Sequence, residues 1–161
     1  MLSLLERLDQ NMKIDLPAGH VMLAEGKQTG KLFILVKGAA SVVRNDIVVA
    51  AISEPGSVFG EMSLLLDAPH TATVRAVSDV TVYEIADAMN FLRSDPEVTF
   101  IVARMLAQRL NSATSYLVDL KTQYASETNH LGMVSEVLAT LVFQNETEFN
   151  AGSDRLPDHQ M

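Results

Sequence analysis

The sequence contains no cysteine and no tryptophan, and basic residues are scarce among its 161 residues. Without cysteine, the chain has no disulfide framework and no thiolate chemistry. Twelve lysines and arginines stand against twenty acidic residues, which gives a formal net charge of −8. Nucleic-acid binding draws much of its affinity from basic side chains that neutralise phosphates, so this composition argues against direct DNA recognition. A small ligand or another protein is the expected partner.

Long apolar runs are also lacking, and none reaches the ~18 residues that a membrane-spanning helix needs. The first seven residues, MLSLLER, lack the features of a signal peptide and predict a short amphipathic helix. The histidines are too scattered to form a closely spaced metal-ligand pair; they are His20, His70, His130 and His159. We therefore expect a cytoplasmic protein that contacts no membrane, holds no metal and is not an enzyme.

Apolar residues make up 48% of the chain and fall in short segments separated by glycine and proline turns. A hairpin is expected around Asn45 and Asp46, because these residue types suit a tight two-residue turn. Many short strands of this kind are typical of a β-sandwich or β-roll. The predicted strands cover residues 13–16, 21–23, 31–36, 41–44, 47–52, 71–77 and 80–85.

The periodicity becomes helical after Asp95, which can cap a helix that has Pro96 at its first position. We predict a long helix over residues 96–125, a second over 131–143 and a mobile polar tail over 145–161. The long helix either packs on the roll or forms a homodimer seam. The residues that fall largely on one stripe of this helix, mostly apolar, are Val98, Val102, Met105, Arg109, Leu110, Ala113, Leu117, Leu120 and Tyr124. The expected organisation is a domain over residues 1–125 and an accessory region over 126–161.

The chemistry is expected in the segment that begins at Gly60, where a predicted strand ends. The missing Cβ of Gly60 lets a ligand or a second backbone come close. Residues 61–64 predict a single helical turn, whose first N–H groups have no partner within the helix and can bind an anion. Glu61 is an acceptor suited to ribose hydroxyls, and Thr71 offers a hydroxyl toward the same point. On the residues alone, an ordinary strand–turn–strand corner with Glu61 as a helix-start charge is an equal alternative.

This segment resembles the cyclic-nucleotide-binding domains of catabolite activators, protein-kinase regulatory subunits and gated channels. Their phosphate-binding cassette reads F-G-E-[LIM]-[AGS]-L-[LI] and then, after a few residues, [PA]-R-[TS]-A-[TS]-V. The chain matches it over residues 59–65, at Pro69 and over residues 71–74. The resemblance extends over roughly residues 12–120. It implies a β-roll, or double-stranded β-helix, of about eight strands flanked by N-terminal and C-terminal helices.

The resemblance also implies a ligand, cAMP or cGMP, and a role for individual residues. Glu61 would accept from the ribose 2′-hydroxyl, and the main chain after Gly60 would hold the cyclic phosphate together with Thr71. A base contact falls on Thr114 or its neighbour Ala113. The candidate ligand-binding residues are Gly60, Glu61, Met62, Ser63, His70, Thr71 and Thr114.

The sequence departs from the family pattern at His70, which stands where the family has a phosphate-binding arginine. Histidine is largely neutral at pH 7, with an ordinary pKa near ~6.5. Losing a charge-assisted hydrogen bond of about 1.5–3 kcal/mol would weaken binding roughly ten- to a hundredfold. The site therefore binds weakly, binds in a pH-dependent way, or has lost its ligand; in the last case His70 is an exposed loop residue.

The favoured hypothesis is a stand-alone cyclic-nucleotide sensor, and the alternative is a ligand-free dimeric interaction scaffold. About forty residues follow Leu120 and hold one plausible helix. A helix-turn-helix module needs two helices and basic contacts to the DNA backbone, so no direct DNA binding is expected. A homodimer through residues 96–125 and an unidentified protein partner for residues 131–143 complete the hypothesis.

Overall fold

A computed structural model describes residues 4–123 and 128–142 of the chain. It divides the chain into two compact units, Met1–Ala103 and Arg104–Met161. Eight strands lie in the first unit: β1 (Lys13–Leu16), β2 (Val21–Leu23), β3 (Leu32–Lys37), β4 (Ala40–Arg44), β5 (Ile47–Ile52), β6 (Val58–Phe59), β7 (Thr73–Ala76) and β8 (Val80–Ile85). The helices are α1 (Glu61–Leu66), α2 (Ala88–Ser94), α3 (Pro96–Gln123) and α4 (Thr128–Val142).

The strands form two four-stranded sheets with the orders β1-β8-β3-β6 and β2-β7-β4-β5. All pairings are antiparallel. Asn45 and Asp46 form the β4–β5 turn with φ angles of 49° and 63°, as a two-residue turn with both central residues left-handed requires. The predicted β-roll of about eight strands with flanking helices is confirmed.

The core of the roll draws side chains from both sheets. Leu35 and Val82 are fully buried on one sheet, and Val74 and Ala76 are buried on the other. β3 is buried on both faces over its first four residues, so it reads as a continuous apolar run instead of an alternating one. The flanking helical segments of the first unit also supply buried residues, namely Leu4, Ala88, Leu92, Val98 and Val102.

The start of α3 agrees with the sequence prediction. The Asp95 carboxylate accepts the N–H groups of Glu97 and Val98 at 3.1 and 3.2 Å, which satisfies two of the donors that a helix start leaves unpaired. α2, which begins after Asp87, was not predicted from the sequence. The Asp87 side chain caps it through the N–H of Asn90 at 3.4 Å.

The N-terminal segment differs from its prediction. A 3₁₀ turn, Leu4–Arg7, stands in the described part of the segment where a short amphipathic helix was expected, and a second 3₁₀ turn, Gln10–Met12, follows it. A short segment gains little from helix propagation by itself, so its conformation depends on what it packs against.

Several predictions at the C-terminal end fall on residues that the structure does not describe. The end of the long helix near residue 125, the boundary after it and the tail over 145–161 all lie outside the described residues. α4 begins at Thr128, three residues before the predicted start, and is described to Val142. Over residues 4–123 and 128–142, no helix has the length and apolar character to cross a membrane.

Candidate functional site

Gly60 connects β6 to α1 in a conformation that only glycine adopts readily. Its φ angle is +97°, in the left-handed region that L side chains avoid. β6 pairs with β3 through Phe59 and Phe33, and Gly60 then lies against the chain that precedes β3. A Cβ at Gly60 would come within 2.6 Å of the Lys31 carbonyl oxygen. Both the backbone angle and the space therefore require glycine here.

The start of α1 bears on the predicted anion contact. The first bond within the helix runs from the N–H of Leu64 to the carbonyl of Gly60 at 3.4 Å. The N–H groups of Met62 and Ser63 precede this bond, so the helix offers them no acceptor. Such groups favour an anion placed at the helix start.

The side chains of Glu61, Met62 and Ser63 differ in exposure and in their contacts. Glu61 is buried with 4% of its surface exposed, whereas Met62 is 46% exposed. The Ser63 hydroxyl donates to the carbonyl of Ala68 at 2.5 Å and is buried. Ser63 therefore offers a ligand its main-chain N–H, while its side chain closes the loop that follows the helix.

α1 ends in a tight turn at Asp67. Its backbone is in the left-handed region with a φ angle of 48°, and its N–H donates to the carbonyl of Leu64 at 3.4 Å. The N–H of Ala68 donates to the carbonyl of Ser63 at 3.1 Å. The Asp67 carboxylate accepts from the Gln28 amide at 2.9 Å, so the loop after α1 is held to the segment before β3.

His70 is buried, with 5% of its surface exposed. Its Nε2 atom lies 2.8 Å from the Thr29 hydroxyl, to which it is hydrogen-bonded. Its N–H donates to the carbonyl of Lys27, and its carbonyl accepts from the N–H of Gly26, both at 2.8 Å. The alternative that made His70 an exposed loop residue is wrong, because these contacts draw it inward. Burial lowers the pKa of His70 from its ordinary value of 6.5.

Thr71 is exposed and lies in the bend before β7. β7 begins at Thr73, two residues later than predicted. At the start of this strand the Thr73 hydroxyl accepts the N–H of Glu25 at 3.1 Å, which ties β7 to the segment after β2. Exposure leaves the Thr71 hydroxyl open to a ligand.

Thr114 belongs to the second unit, Arg104–Met161. Its hydroxyl donates to the carbonyl of Leu110 at 2.8 Å, one turn earlier in α3. Its contact with a base therefore stays a prediction. In the part of the chain that the structure describes, no group of three or more histidine, aspartate or glutamate side chains is arranged to hold a metal ion.

Sequence reasoning missed Gln28 and Thr29, which contact the cassette from the segment before β3. Thr29 and His70 are separated by 41 positions in the sequence. No local pattern connects residues at that distance, so only the fold brings them together.

The sequence of the roll matches a known protein family. The family model for the cyclic nucleotide-binding domain matches residues 13–93. These residues contain all eight strands, α1 and nearly all of α2. The chain belongs to the cyclic nucleotide-binding domain family.

Individual relatives share the same region. A CRP-like cAMP-activated global transcriptional regulator of Mycobacterium tuberculosis is 28% identical over 117 residues, which cover 69% of this chain and 52% of the relative. A cyclic nucleotide-gated potassium channel of Mesorhizobium japonicum is 33% identical over 101 residues, or 62% of this chain and 28% of the channel. The chain thus spans about half or less of the length of these relatives.

A solved structure gives the same result for the fold. The catabolite activator protein of Thermus thermophilus matches with a TM-score of 0.56 and 26% identity. The match covers 71% of this chain and 54% of that protein.

Proposed function

We propose that the chain binds a cyclic nucleotide, cAMP or cGMP, and acts as a regulatory sensor module and not as an enzyme. The observation that carries the proposal is the start of α1, where the N–H groups of Met62 and Ser63 precede the first bond within the helix and the buried Glu61 lies beside them. Family membership supports the same ligand class. The names of the two relatives, a cAMP-activated regulator and a cyclic nucleotide-gated channel, also support it. We further propose a cytoplasmic location.

In the proposed complex, the cyclic phosphate lies against the amides of Met62 and Ser63, and Gly60 leaves room for it. Glu61 accepts a hydrogen bond from the ribose, and the exposed Thr71 donates to the phosphate. The residue that replaces the family's arginine, His70, supplies no permanent charge. We therefore propose affinity roughly ten- to a hundredfold weaker than an arginine-bearing cassette would give.

The proposed output is a change in the helices that follow the roll. Bound nucleotide would shift α3 and α4 between two packings, which requires different affinities for the two states. Leu110 lies on the predicted stripe of α3 and is 45% exposed, and Met133 of α4 is 47% exposed. These apolar surfaces support a homodimer through residues 96–125 and a protein contact through α4.

Nucleotide titration tests the proposal directly. We expect cAMP or cGMP to give saturable heat in calorimetry and to raise the melting temperature, because a ligand that binds only the folded state stabilises it. Glu61→Ala should abolish or strongly weaken binding. Glu54→Ala, which removes an exposed glutamate from a turn, is the matched control and should bind like the wild type. The proposal fails when folded wild-type protein binds neither nucleotide.

A further inference from the structure

Four consecutive residues before β3 each make a hydrogen bond with the loop that follows α1. Three of these bonds converge on His70, at its N–H, its carbonyl and its ring. We call this group of three the His70 clasp. The four bonds join Gly26 N–H to His70 O (2.8 Å), Lys27 O to His70 N–H (2.8 Å), Gln28 Nε2 to Asp67 Oδ1 (2.9 Å) and Thr29 Oγ1 to His70 Nε2 (2.8 Å).

The His70 clasp fixes the side chain as well as the backbone. The residue is 5% exposed, and the bond to Thr29 occupies Nε2, the ring nitrogen farthest from the backbone. A phosphate contact through Nε2 would require the ring to leave Thr29 and the backbone bonds to rearrange. The buried ring is therefore committed to Thr29.

The position of α1 depends on contacts at its ends. A six-residue helix is too short to be stable by itself. Its C-terminal end is continuous with the loop, because Ala68 donates to Ser63 and the Ser63 hydroxyl donates back to Ala68. Two residues further along, His70 anchors that loop. A displacement at His70 is thus transmitted to the amides at the start of α1.

We infer that His70 is a positioning residue that holds the cassette amides in place through Thr29 and does not itself contact the cyclic phosphate. This inference rests on the proposed function, since it assigns a role within the same site. It makes Thr29, which the family pattern does not mark, a determinant of affinity.

The inference also sets the pH dependence of binding. The charged groups beside the His70 clasp are Lys27, Asp67 and Glu25, of which Asp67 bonds to Gln28 and Glu25 to the N–H of Asn45. All three are exposed. A ring that stays in the interior adds no positive charge at the phosphate, so affinity should not strengthen as the pH falls from 8 to 6.

The test measures the dissociation constants of the wild-type chain and five variants for cAMP and cGMP at pH 8 and pH 6. Thr29→Val removes the hydroxyl and keeps the shape of the side chain. Thr81→Val is the matched control, because it removes a threonine hydrogen bond to Asp15 at 2.6 Å elsewhere in the roll. His70→Leu breaks the side-chain bond, whereas His70→Gln restores a neutral group that can reach Thr29. Thr29→Val combined with His70→Leu tests whether the two residues act through one bond.

We expect Thr29→Val and His70→Leu each to weaken binding about three- to tenfold, the range of one neutral hydrogen bond. The double variant should lose no more than either single change. His70→Gln and Thr81→Val should stay within about twofold of the wild type. The inference is overturned by unchanged affinity in Thr29→Val. It is also overturned when wild-type affinity rises at pH 6 and His70→Gln loses that rise.

A second measurement separates this inference from the proposed function. Hydrogen exchange of the amides in residues 61–70, without nucleotide, should be faster in Thr29→Val than in the wild type or Thr81→Val. If the wild-type chain binds no nucleotide, the proposed ligand is refuted. Faster exchange in Thr29→Val would support the His70 clasp even then. Equal exchange in all three chains would overturn the His70 clasp whatever the chain binds.

Discussion

The α-carbon of Gly60 faces the carbonyl oxygen of Lys31 so closely that a methyl group there would lie 2.6 Å from that oxygen. The β3–β6 pairing creates this approach, since it places the end of β6 beside the start of β3. The glycine at position 60 is therefore required by the fold itself, whether or not a ligand binds beside it.

The backbone angle and the close approach to Lys31 should both lower the free energy of unfolding when Gly60 is replaced. Gly60→Ala combines an unfavourable left-handed angle with a backbone clash. Gly56→Ala has a similar φ of +88° but meets no atom within 4 Å. We expect Gly60→Ala to cost about 1–3 kcal/mol more than Gly56→Ala, the usual penalty of overpacking. Urea unfolding measures both, and equal losses would show that the approach to Lys31 is not restrictive.

The buried ring of His70 should make stability depend on pH. Burial lowers its folded-state pKa below the ordinary 6.5, so the unfolded chain binds this proton at higher pH than the folded chain does. Its contribution is complete above about pH 6.5 and decreases as the pH falls toward the folded-state pKa. Urea unfolding between pH 8 and pH 5.5 measures the loss, and most carboxylates, with ordinary pKa near ~4, stay ionised there.

His70→Gln removes the titrating group and should flatten this decline. His20→Gln, which changes an exposed histidine, should leave the decline as in the wild type. The same slope in wild type and His70→Gln would assign the pH dependence to other groups.

Restoring the family's arginine should strengthen nucleotide binding. An arginine presents a permanent charge and two parallel donors to phosphate oxygens. We expect His70→Arg to bind cAMP roughly ten- to a hundredfold more tightly than the wild type. This gain in affinity is expected to exceed the affinity that is lost with the bond to Thr29. Because the side chain must leave a buried position, the melting temperature without ligand should fall. Calorimetry measures the cAMP affinity of His70→Arg and of His70→Lys, which supplies a charge without the two parallel donors. If neither variant binds cAMP more tightly than the wild type, the proposed phosphate site is contradicted.

Charged substitutions should disrupt the proposed homodimer only when they lie on the face of α3 that carries the stripe. Leu110 and Leu117 lie on the apolar stripe, whereas Val118, which is 47% exposed, lies off it. Leu110→Asp together with Leu117→Lys should convert a dimer into a monomer, since charges at buried seam positions are strongly unfavourable. Val118→Lys should leave the dimer intact. Light scattering during gel filtration measures the mass, and a monomeric wild type at high concentration would rule out this seam.

Local chemistry made much of the fold predictable. The strands, the Asn45–Asp46 turn and the start of α3 at Pro96 follow from periodicity, turn preference and capping, which act within a few residues. The same local rules missed α2 and overstated the N-terminal helix. Each is a short segment whose state depends on what it packs against.

The candidate site divides in the same way. The sequence by itself determined the cassette, because glycine at position 60 and a helical turn directly after it place the first amides of that turn ahead of any acceptor within the helix. The tertiary structure alone decided the orientation of His70, since its partners at positions 26, 27 and 29 reach it only after β3 and the cassette have been brought together. Contacts between distant segments depend on how the sheets pair, and that pairing is a property of the whole roll.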